Sequence, residues 1–359
     1  MNVVVVTPWP LTTAGGAQTV LRRLGEELLQ RGFAVTAVVG SRGVHRMPCA
    51  VPEVRLPVAA MPASRRRVGA STLERLDEAV AALRPDVVLY APHHSHEAHQ
   101  AAAAAKALGV PFVYGPFVHT DQAAHTNREA RAFARAADLV LCVTEGERRW
   151  LIERAGVAAP LLAGIGSDHA NEPLPPRAGR RCALLSVGAL SRHKRHEDQV
   201  TALSLVPDDV TLTIAGSRGD GEDRLRARIE RLGLARRVTV AVEPSRDELL
   251  ALYRASDAFL FTSRSESFGV ALLDAICLGA LPVVYPHAVY RELVLESGFG
   301  VVAERETPDA LAAAILRALE IPRSAAPRDA FRSAHSWAAI GERVASALTV
   351  LVPSARHGA

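Results

Sequence analysis

Two carboxylates, Glu266 and Asp274, stand eight residues apart on either side of Gly269. The apolar pattern predicts a strand over 258–261, then a loop that carries Glu266, then a helix that starts at Gly269 and carries Asp274. The first amides of such a helix lack intrahelical acceptors and form a site for an anion such as a diphosphate. These amides belong to Val270, Ala271 and Leu272. The two carboxylates are placed to accept hydrogen bonds from sugar hydroxyls beside that anion.

A second interpretation of the same residues needs no ligand. Glu266 would cap the helix start, and Asp274 would be a solvated residue on its exposed face. The spacing of the two carboxylates does not separate these interpretations.

A basic segment in the middle of the chain supplies a candidate partner for the anion. Lys194 and Arg192 follow a predicted strand over 183–187. Of the 42 basic residues only two are lysines, Lys106 and Lys194, which suggests a genome biased towards arginine codons. The formal net charge of +4 is compatible with an anionic ligand or a membrane surface. An exposed basic loop without a ligand is the alternative.

Short apolar strands alternate with amphipathic helical patterns along the chain, which predicts parallel sheets covered by helices on both faces. The pattern breaks in a polar, proline-rich stretch and then restarts. We therefore expect an N-terminal domain over 1–165, a linker over 166–181 and a second α/β domain over 182–335. A C-terminal helix within 336–359 is expected to pack back on the N-terminal domain. Ligands of such sheets bind beyond the carboxyl ends of the strands, here in a cleft between the domains.

Several classes of protein are disfavoured by composition. No apolar run reaches the length that spans a bilayer, so we expect no integral membrane segment. The N-terminus lacks the features of a signal peptide, and the four scattered cysteines form no metal or disulfide pattern. A cytoplasmic protein is expected, with peripheral membrane contact through Arg65–Arg67 as a weaker option. No basic stretch is interleaved with aromatic residues, so no nucleic-acid partner is expected.

The stretch from Thr262 to Val284 resembles the Glu-x7-Glu signature of the retaining GT-B glycosyltransferases, whose fold is two Rossmann-like doubly wound domains facing across a cleft. The resemblance implies that Glu266 contacts the donor sugar and that Asp274 contacts the nucleotide ribose. Two positions depart from the usual motif, because Ser267 replaces a glycine and Asp274 replaces the second glutamate. The residues between the two acids are expected to bind the donor as well. They are Ser267, Phe268, Gly269, Val270, Ala271 and Leu272.

A second match covers 186–195, where the family has Val-Gly-Arg-Leu, three further residues and a lysine. Lys194 falls on the lysine position, and the resemblance implies that it neutralises the diphosphate leaving group. Ala189 stands where the family has arginine, and we expect Arg192 to supply the missing charge.

Weaker matches extend the resemblance over nearly the whole chain. Gly15 and Gly16, at the end of the first strand, resemble the family's glycine loop and are expected to face the donor or the acceptor. His119 follows the strand 112–114 and matches the histidine that contacts the donor sugar. Gly216, at the end of another predicted strand, is also assigned to the donor site. The predicted catalytic residues are thus Glu266, His119 and Lys194.

The resemblance implies a retaining transferase that moves a sugar from a UDP- or GDP-sugar to a hydroxyl of a small molecule, saccharide or lipid-linked acceptor. No cofactor and no metal are expected. Two alternatives stay open. One is another nucleotide-sugar enzyme of this fold, such as an epimerase or a phosphorylase, and the other is a catalytically impaired binding subunit.

One group of histidines suggests metal binding but is given little weight. It comprises His93, His94, His96 and His99. His96 and His99 have helical i, i+3 spacing, which can ligate zinc. Since no cysteine or carboxylate set completes such a site, an acceptor-facing polar loop or a plain helix start is the favoured interpretation.

Overall fold

The computed structural model describes residues 1–13, 15–41, 47–60, 71–120, 122–175, 182–322 and 324–352. The chain divides into two compact units. Unit 1 comprises Met1–Gly166 together with Trp337–Ala359, and unit 2 comprises Ser167–Ser336.

The core of unit 1 is a parallel sheet. The strands of this unit are β1 (Asn2–Thr7), β2 (Ala34–Gly40), β3 (Glu53–Leu56), β4 (Val58–Ala60), β5 (Ser71–Leu73), β6 (Val87–Tyr90), β7 (Phe112–Tyr114), β8 (Leu139–Cys142) and β9 (Leu161–Leu162). Seven of them form one sheet in the order β3-β2-β1-β6-β7-β8-β9, with every neighbouring pair parallel. The remaining two, β4 and β5, pair antiparallel.

Unit 1 also contains helices. They are α1 (Gly16–Gln30), α2 (Leu76–Ala82), α3 (His96–Leu108), α4 (Ala123–Thr126), α5 (Arg128–Arg135), α6 (Glu145–Trp150) and the C-terminal α14 (Trp337–Leu351). A π-helical turn, Leu151–Ala155, continues α6. Side-chain caps at Ser95, Asn127 and Thr144 begin α3, α5 and α6 by accepting backbone N–H groups.

The last helix, α14, belongs to unit 1 although it lies at the end of the chain. Gly341 lets it approach α1 closely, since an added Cβ would lie 2.6 Å from Cβ of Glu27. The Arg31 guanidinium donates a hydrogen bond of 2.7 Å to the carbonyl of Ala338. A second contact joins Nε of Arg31 to the Glu342 carboxylate at 3.4 Å, so close packing and the Arg31 guanidinium join the two helices.

Unit 2 is a second parallel sheet. Its strands are β10 (Ala183–Val187), β11 (Thr211–Gly216), β12 (Val238–Val242), β13 (Ala258–Phe261), β14 (Leu281–Val284) and β15 (Val301–Val302), in the order β12-β11-β10-β13-β14-β15. Its helices are α7 (His196–Leu203), α8 (Glu222–Arg231), α9 (Arg246–Ala255), α10 (Val270–Cys277), α11 (Ala288–Ser297), α12 (Pro308–Glu320) and α13 (Asp329–Ala334). A 3-10 turn, Arg192–Lys194, follows β10.

The chain reverses direction across each sheet beside its first strand, β1 in unit 1 and β10 in unit 2. Ligands of open parallel sheets bind at the carboxyl ends of the strands at this reversal. The prediction of two doubly wound α/β units is confirmed. Among the described helices, none is both long enough and apolar enough to cross a membrane.

Candidate active site

Lys194 and Glu266 are in contact at the carboxyl edge of the unit 2 sheet. Lys194 lies on the 3-10 turn after β10, and Glu266 lies on the loop after β13. These strands are parallel neighbours at the reversal of strand order, so their following loops meet. The Lys194 ammonium donates to Oε1 of Glu266, and each side chain is 17% exposed. The ammonium also lies 5.7 Å from the centre of the Phe261 ring.

The Lys194 turn is fixed to the end of β13 by hydrogen bonds. The Thr262 hydroxyl donates to the carbonyl of Lys194 at 2.9 Å and accepts from the amide of Gln199 at 2.8 Å. The backbone N–H of Arg264 donates to the carbonyl of His193 at 2.8 Å. The pair is therefore held by backbone and buried side-chain contacts, not by its own charges alone.

Helix α10 begins after Gly269, three residues beyond Glu266. Gly269 has φ of 97°, a left-handed conformation that favours glycine. The amides of Val270 and Ala271 occupy the first helical positions, which have no intrahelical acceptor. The amide of Leu272 differs from the prediction, because it donates to the carbonyl of Gly269 at 3.0 Å. Because the Leu272 N–H is bonded within the tight turn at Gly269, it is not available to an anion. The predicted anion site is therefore reduced to the amides of Val270 and Ala271.

Phe268 and Ser267 precede this glycine. The Phe268 side chain is buried, with its ring centre 6.1 Å from that of His335, whereas Ser267 is half-buried. Phe268 thus contributes packing under the loop, and its predicted donor contact stays a prediction together with that of Ser267.

Gly216 has a packing role that explains its residue type. It ends β11, and a Cβ at this position would lie 1.8 Å from the carbonyl oxygen of Gly188. Gly188 in turn lies against the aliphatic part of Lys194, with an added Cβ 3.3 Å from Cε. The two glycines thus bring the ends of β10 and β11 together under the lysine.

Arg192 pairs with an acid that the sequence did not indicate, and its predicted diphosphate contact stays a prediction. Its side chain is 62% exposed, and Nε lies 3.7 Å from the Asp220 carboxylate. The backbone N–H of Arg192 also donates to Asp220 at 3.1 Å. In this structure Arg192 therefore pairs with an acid on the loop after β11, while Ala189 leaves the family's arginine position without a charge.

Asp274 is half-buried on α10, where it accepts a hydrogen bond of 2.6 Å from the Ser167 hydroxyl. Burial raises the pKa of this carboxyl to about 6. The Ser167 hydrogen bond and the positive charges of His169 and Arg246 act in the opposite direction, while the charge of Asp168 adds to the rise. The Asp274 carboxyl is therefore poised to change charge close to neutral pH.

The segment that carries Ser167 is fixed by its own contacts within unit 2. Nδ1 of His169 lies 2.8 Å from the Glu172 carboxylate, which also accepts from Arg254 at 2.9 Å. The Arg332 guanidinium donates to the carbonyl of Glu172. These contacts fix the position of the Ser167 hydroxyl, which donates a hydrogen bond to Asp274.

The glycine loop of unit 1 leads into α1. Gly15 is the N-cap of this helix, and the buried Gln18 side chain folds over it, since a Cβ on Gly15 would lie 2.2 Å from Oε1 of Gln18. Gly16 begins α1 at the carboxyl end of β1. The preceding residue of the motif, Ala14, lies outside the described residues.

His119 lies at the carboxyl edge of the unit 1 sheet, beyond β7, with two further histidines. Its ring centre is 5.1 Å from that of His125 and 5.9 Å from that of His93. The His93 and His125 rings stack at 4.2 Å. Burial lowers the pKa of His93 to about 4, and the neighbouring His125 and His119 act in the same direction. His93 is therefore neutral at physiological pH.

A buried glutamate supports the loop that carries His119. Glu147 on α6 accepts the backbone N–H of Val118 at 2.7 Å and that of Val143 at 2.8 Å. Its side chain thus ties the loop after β7 to the loop after β8, next to His119.

Sequence reasoning missed His125, Glu147 and Ser167, and it grouped His93 with the wrong partners. His94 and His99 form a separate pair, with Nε2 atoms 2.9 Å apart. Only the position of His93 just beyond β6 could have linked it to His119, because neighbouring parallel strands end at one edge. No sequence signal marked the other three.

The chain matches known families over most of its length. Residues 175–335 match the family model described as glycosyl transferases group 1, and residues 14–162 match that of glycosyltransferase family 4. A glycogen synthase of Mycobacterium tuberculosis is 30% identical over 302 residues, which cover 77% of this chain and 70% of that protein. The chain belongs to the group 1 glycosyltransferases, as the sequence motifs predicted.

A second relative matches a shorter part of this chain. A GDP-mannose:cellobiosyl-diphosphopolyprenol alpha-mannosyltransferase of Xanthomonas campestris is 30% identical over 230 residues. The match covers 57% of this chain, and the chain spans 57% of the length of that relative.

Among solved structures, the HepE protein of Anabaena in complex with UDP and glucose is similar in fold. The TM-score is 0.75 at 18% identity, and the match covers 98% of this chain and all of that one (100%). The GT-B fold expected from the resemblance is thereby confirmed.

Proposed function

We propose that this chain is a retaining, metal-independent glycosyltransferase that uses a UDP- or GDP-sugar as donor and a hydroxyl group as acceptor. The observation that carries the proposal is the contact between Lys194 and Glu266 beside the glycine start of α10. A cation, an acid and the first amides of a helix then lie together at the point of an open parallel sheet where ligands bind.

Lys194 holds the donor diphosphate in this proposal. Its ammonium has three N–H donors, so it can keep one on Glu266 and direct others to phosphate oxygens. The amides of Val270 and Ala271 add the positive end of a helix dipole. Because these groups neutralise the leaving diphosphate, no divalent metal is required.

The two acids of the motif have separate roles. Glu266, next to Lys194, contacts the donor sugar, and Asp274, further along α10, contacts the nucleotide ribose. The raised pKa of Asp274 means that ribose hydroxyls bind best above about pH 6, when the carboxylate is ionised. His119, in unit 1, keeps the sugar-contact role that the family resemblance implies.

In a transfer with retention, the acceptor hydroxyl approaches the sugar on the same face from which the diphosphate departs. The bond from the anomeric carbon to the phosphate oxygen breaks, and a bond to the acceptor oxygen forms. The acceptor proton passes to the departing phosphate oxygen, so no protein base is needed. The protein contributes positioning and stabilisation of the leaving charge.

The relatives support this class of donor. The printed name of the Xanthomonas campestris relative specifies GDP-mannose and a diphosphopolyprenol acceptor. The Anabaena structure holds UDP and glucose. All four cysteines are free thiols, which is typical of a reducing compartment and supports the cytoplasm as the place of action.

A second candidate is a binding subunit with impaired catalysis. Ala189 removes the family's arginine, and Arg192 pairs with Asp220. In that case the chain would bind nucleotide diphosphates without turning over the sugar donor.

Incubation of the purified chain with UDP-, GDP- and dTDP-sugars in the presence of EDTA distinguishes these functions. We expect hydrolysis or transfer of one donor, undiminished by EDTA, because side chains and helix amides do the neutralising. Glu266→Gln should lower turnover, while Lys106→Ala, the other lysine of the chain, should not. Activity that is lost in EDTA and restored by a divalent metal would overturn the metal-independent mechanism. Donor binding without any turnover would favour the binding subunit.

A further inference from the structure

The histidines beyond β6 and β7 form a cluster of which the proposed transfer reaction uses only His119. His93, His119 and His125 each present a ring nitrogen, and the three nitrogens lie within 4.8 Å of one another. Among the described residues, no other group of three histidine, cysteine, aspartate or glutamate side chains comes together in this way. We propose that these three imidazoles form a binding site for a divalent transition metal ion, with Zn²⁺ as the best fit.

The hydrogen bonds of His93 match those of a metal ligand. Its Nδ1 lies 3.2 Å from the carbonyl oxygen of Pro116, and a carbonyl can only accept, so Nδ1 carries the proton. Nε2 then carries the lone pair. A ligating histidine commonly donates its second ring N–H to a backbone carbonyl in this manner, which fixes its tautomer and its orientation.

The backbone places His93 firmly against the neighbouring loop. Its φ of 50° is in the left-handed region, and its backbone N–H donates to the same Pro116 carbonyl at 2.9 Å. The backbone N–H of His119 donates to Nδ1 of His125 at 3.3 Å, so the lone pair of neutral His125 lies on Nδ1, and this long hydrogen bond must be exchanged for the ion. The Pro116 contacts of His93 and the Glu147 support of Val118 preorganise the rest of the cluster before any ion binds.

The ligand set selects the type of ion. Three neutral nitrogen donors suit Zn²⁺ and its neighbours in the first transition row, whereas Mg²⁺ and Ca²⁺ prefer oxygen ligands. Zn–N bonds of about 2.0–2.1 Å in a tetrahedral site place nitrogens about 3.4 Å apart, so ring nitrogens that lie within 4.8 Å of one another need to close by at most about 1.4 Å. Three protein ligands leave the fourth position open to water or another small ligand.

Binding of the ion would affect transfer, and this consequence alone rests on the proposed function. A Zn²⁺ ion on His119 occupies the nitrogen that would contact the donor sugar. Zn²⁺ should then inhibit turnover, and EDTA should restore it. This agrees with a metal-independent reaction, because the ion is an inhibitor and not a participant. Binding without inhibition would support the metal site and remove His119 from the transfer reaction.

The direct test measures metal binding on the untagged chain with no sugar nucleotide present. Titration with Zn²⁺ by calorimetry should show a single ion per chain. Co²⁺ should give the intense visible absorption of a four-coordinate site, which Zn²⁺ abolishes. This measurement needs no variant and is independent of how any substitution affects folding.

Single variants locate the site. His93→Gln and His125→Gln should each weaken Zn²⁺ binding at least about tenfold, since even the loss of an outer-shell partner costs about 10–100-fold. His99→Gln, in the neighbouring histidine pair, is the matched control and should bind Zn²⁺ like the parent chain. Circular dichroism without metal checks that each variant folds. The proposal is wrong if the parent chain binds no Zn²⁺ below millimolar concentration, if it binds phosphate there instead, or if His99→Gln removes the site while the other two variants keep it.

Discussion

At the scale of single residues, Asp274 links stability to the charge state of the site. Burial raises the pKa of its carboxyl to about 6, whereas the unfolded chain has a value near 3.8. The folded protein therefore binds this proton more tightly than the unfolded chain does. The stabilising contribution of this group is fully present below about pH 4 and is lost as the pH rises through about 6.

Asp274→Asn tests this linkage. The amide keeps an acceptor for the Ser167 hydroxyl but carries no charge, so the variant should be more stable than the parent at about pH 8, by about 1–3 kcal/mol. The advantage should disappear at about pH 4.5. Chemical denaturation of both proteins across this range measures it.

Ser167→Ala is the companion variant. It removes the hydrogen bond that lowers the pKa of Asp274, so the pH at which stability is lost should move upwards. A stability difference between Asp274→Asn and the parent that stays constant with pH would show that Asp274 does not titrate in this range.

At the scale of elements, the sequence predicted the central strands and the edge strand β12 well but missed several short strands. β1, β6, β10 and β13 are buried apolar runs, a local pattern that marks a central parallel strand. The missed strands are β3, β4, β5, β9 and β15, each of two to four residues. β9 and β15 are half-buried, and only the last residue of β3 is buried, so no such pattern marks them.

The site shows the same division between local and long-range information. Lys194 and Glu266 could be brought together from the sequence because both follow central strands that end at one edge. Ser167 and Asp274 are 107 residues apart in the sequence. Their contact depends on the path of a proline-rich segment, and the hydrophobic periodicity of the sequence does not specify that path. The use of the Leu272 amide within its own turn depends on the conformation of Gly269.

The facing glycines at the ends of β10 and β11 give an element-scale prediction. Gly216→Ala places a Cβ against the Gly188 carbonyl, so the strand ends must separate, and unit 2 should lose about 2–3 kcal/mol of stability. Gly188→Ala meets only the flexible end of Lys194 and should leave the stability nearly unchanged while weakening donor binding. Thermal unfolding and nucleotide titration of both variants check this. Equal stability of the two variants would show that the close approach of the strands is not required.

At the scale of the whole molecule, both units have an open parallel sheet with functional candidates at the carboxyl edge beside the strand reversal. Unit 2 places a lysine, an acid and helix amides there, and unit 1 places a glycine loop and three histidines. The formal net charge of +4 agrees with an anionic ligand. The proposed function depends most on the binding of the donor diphosphate by Lys194.

The affinity of UDP and GDP for the parent chain, Lys194→Ala and Lys106→Ala, measured by calorimetry in EDTA, tests this binding most directly. Loss of a charge-assisted hydrogen bond should cost at least about 1.5–3 kcal/mol, or about 10–150-fold in affinity. Adding Glu266→Gln to Lys194→Ala controls for the acid that the lysine leaves unpaired. We expect a sharp loss of nucleotide affinity in both Lys194 variants and none in Lys106→Ala. Parent-like affinity in both Lys194 variants, for whichever nucleotide the parent chain binds, would contradict the proposed binding.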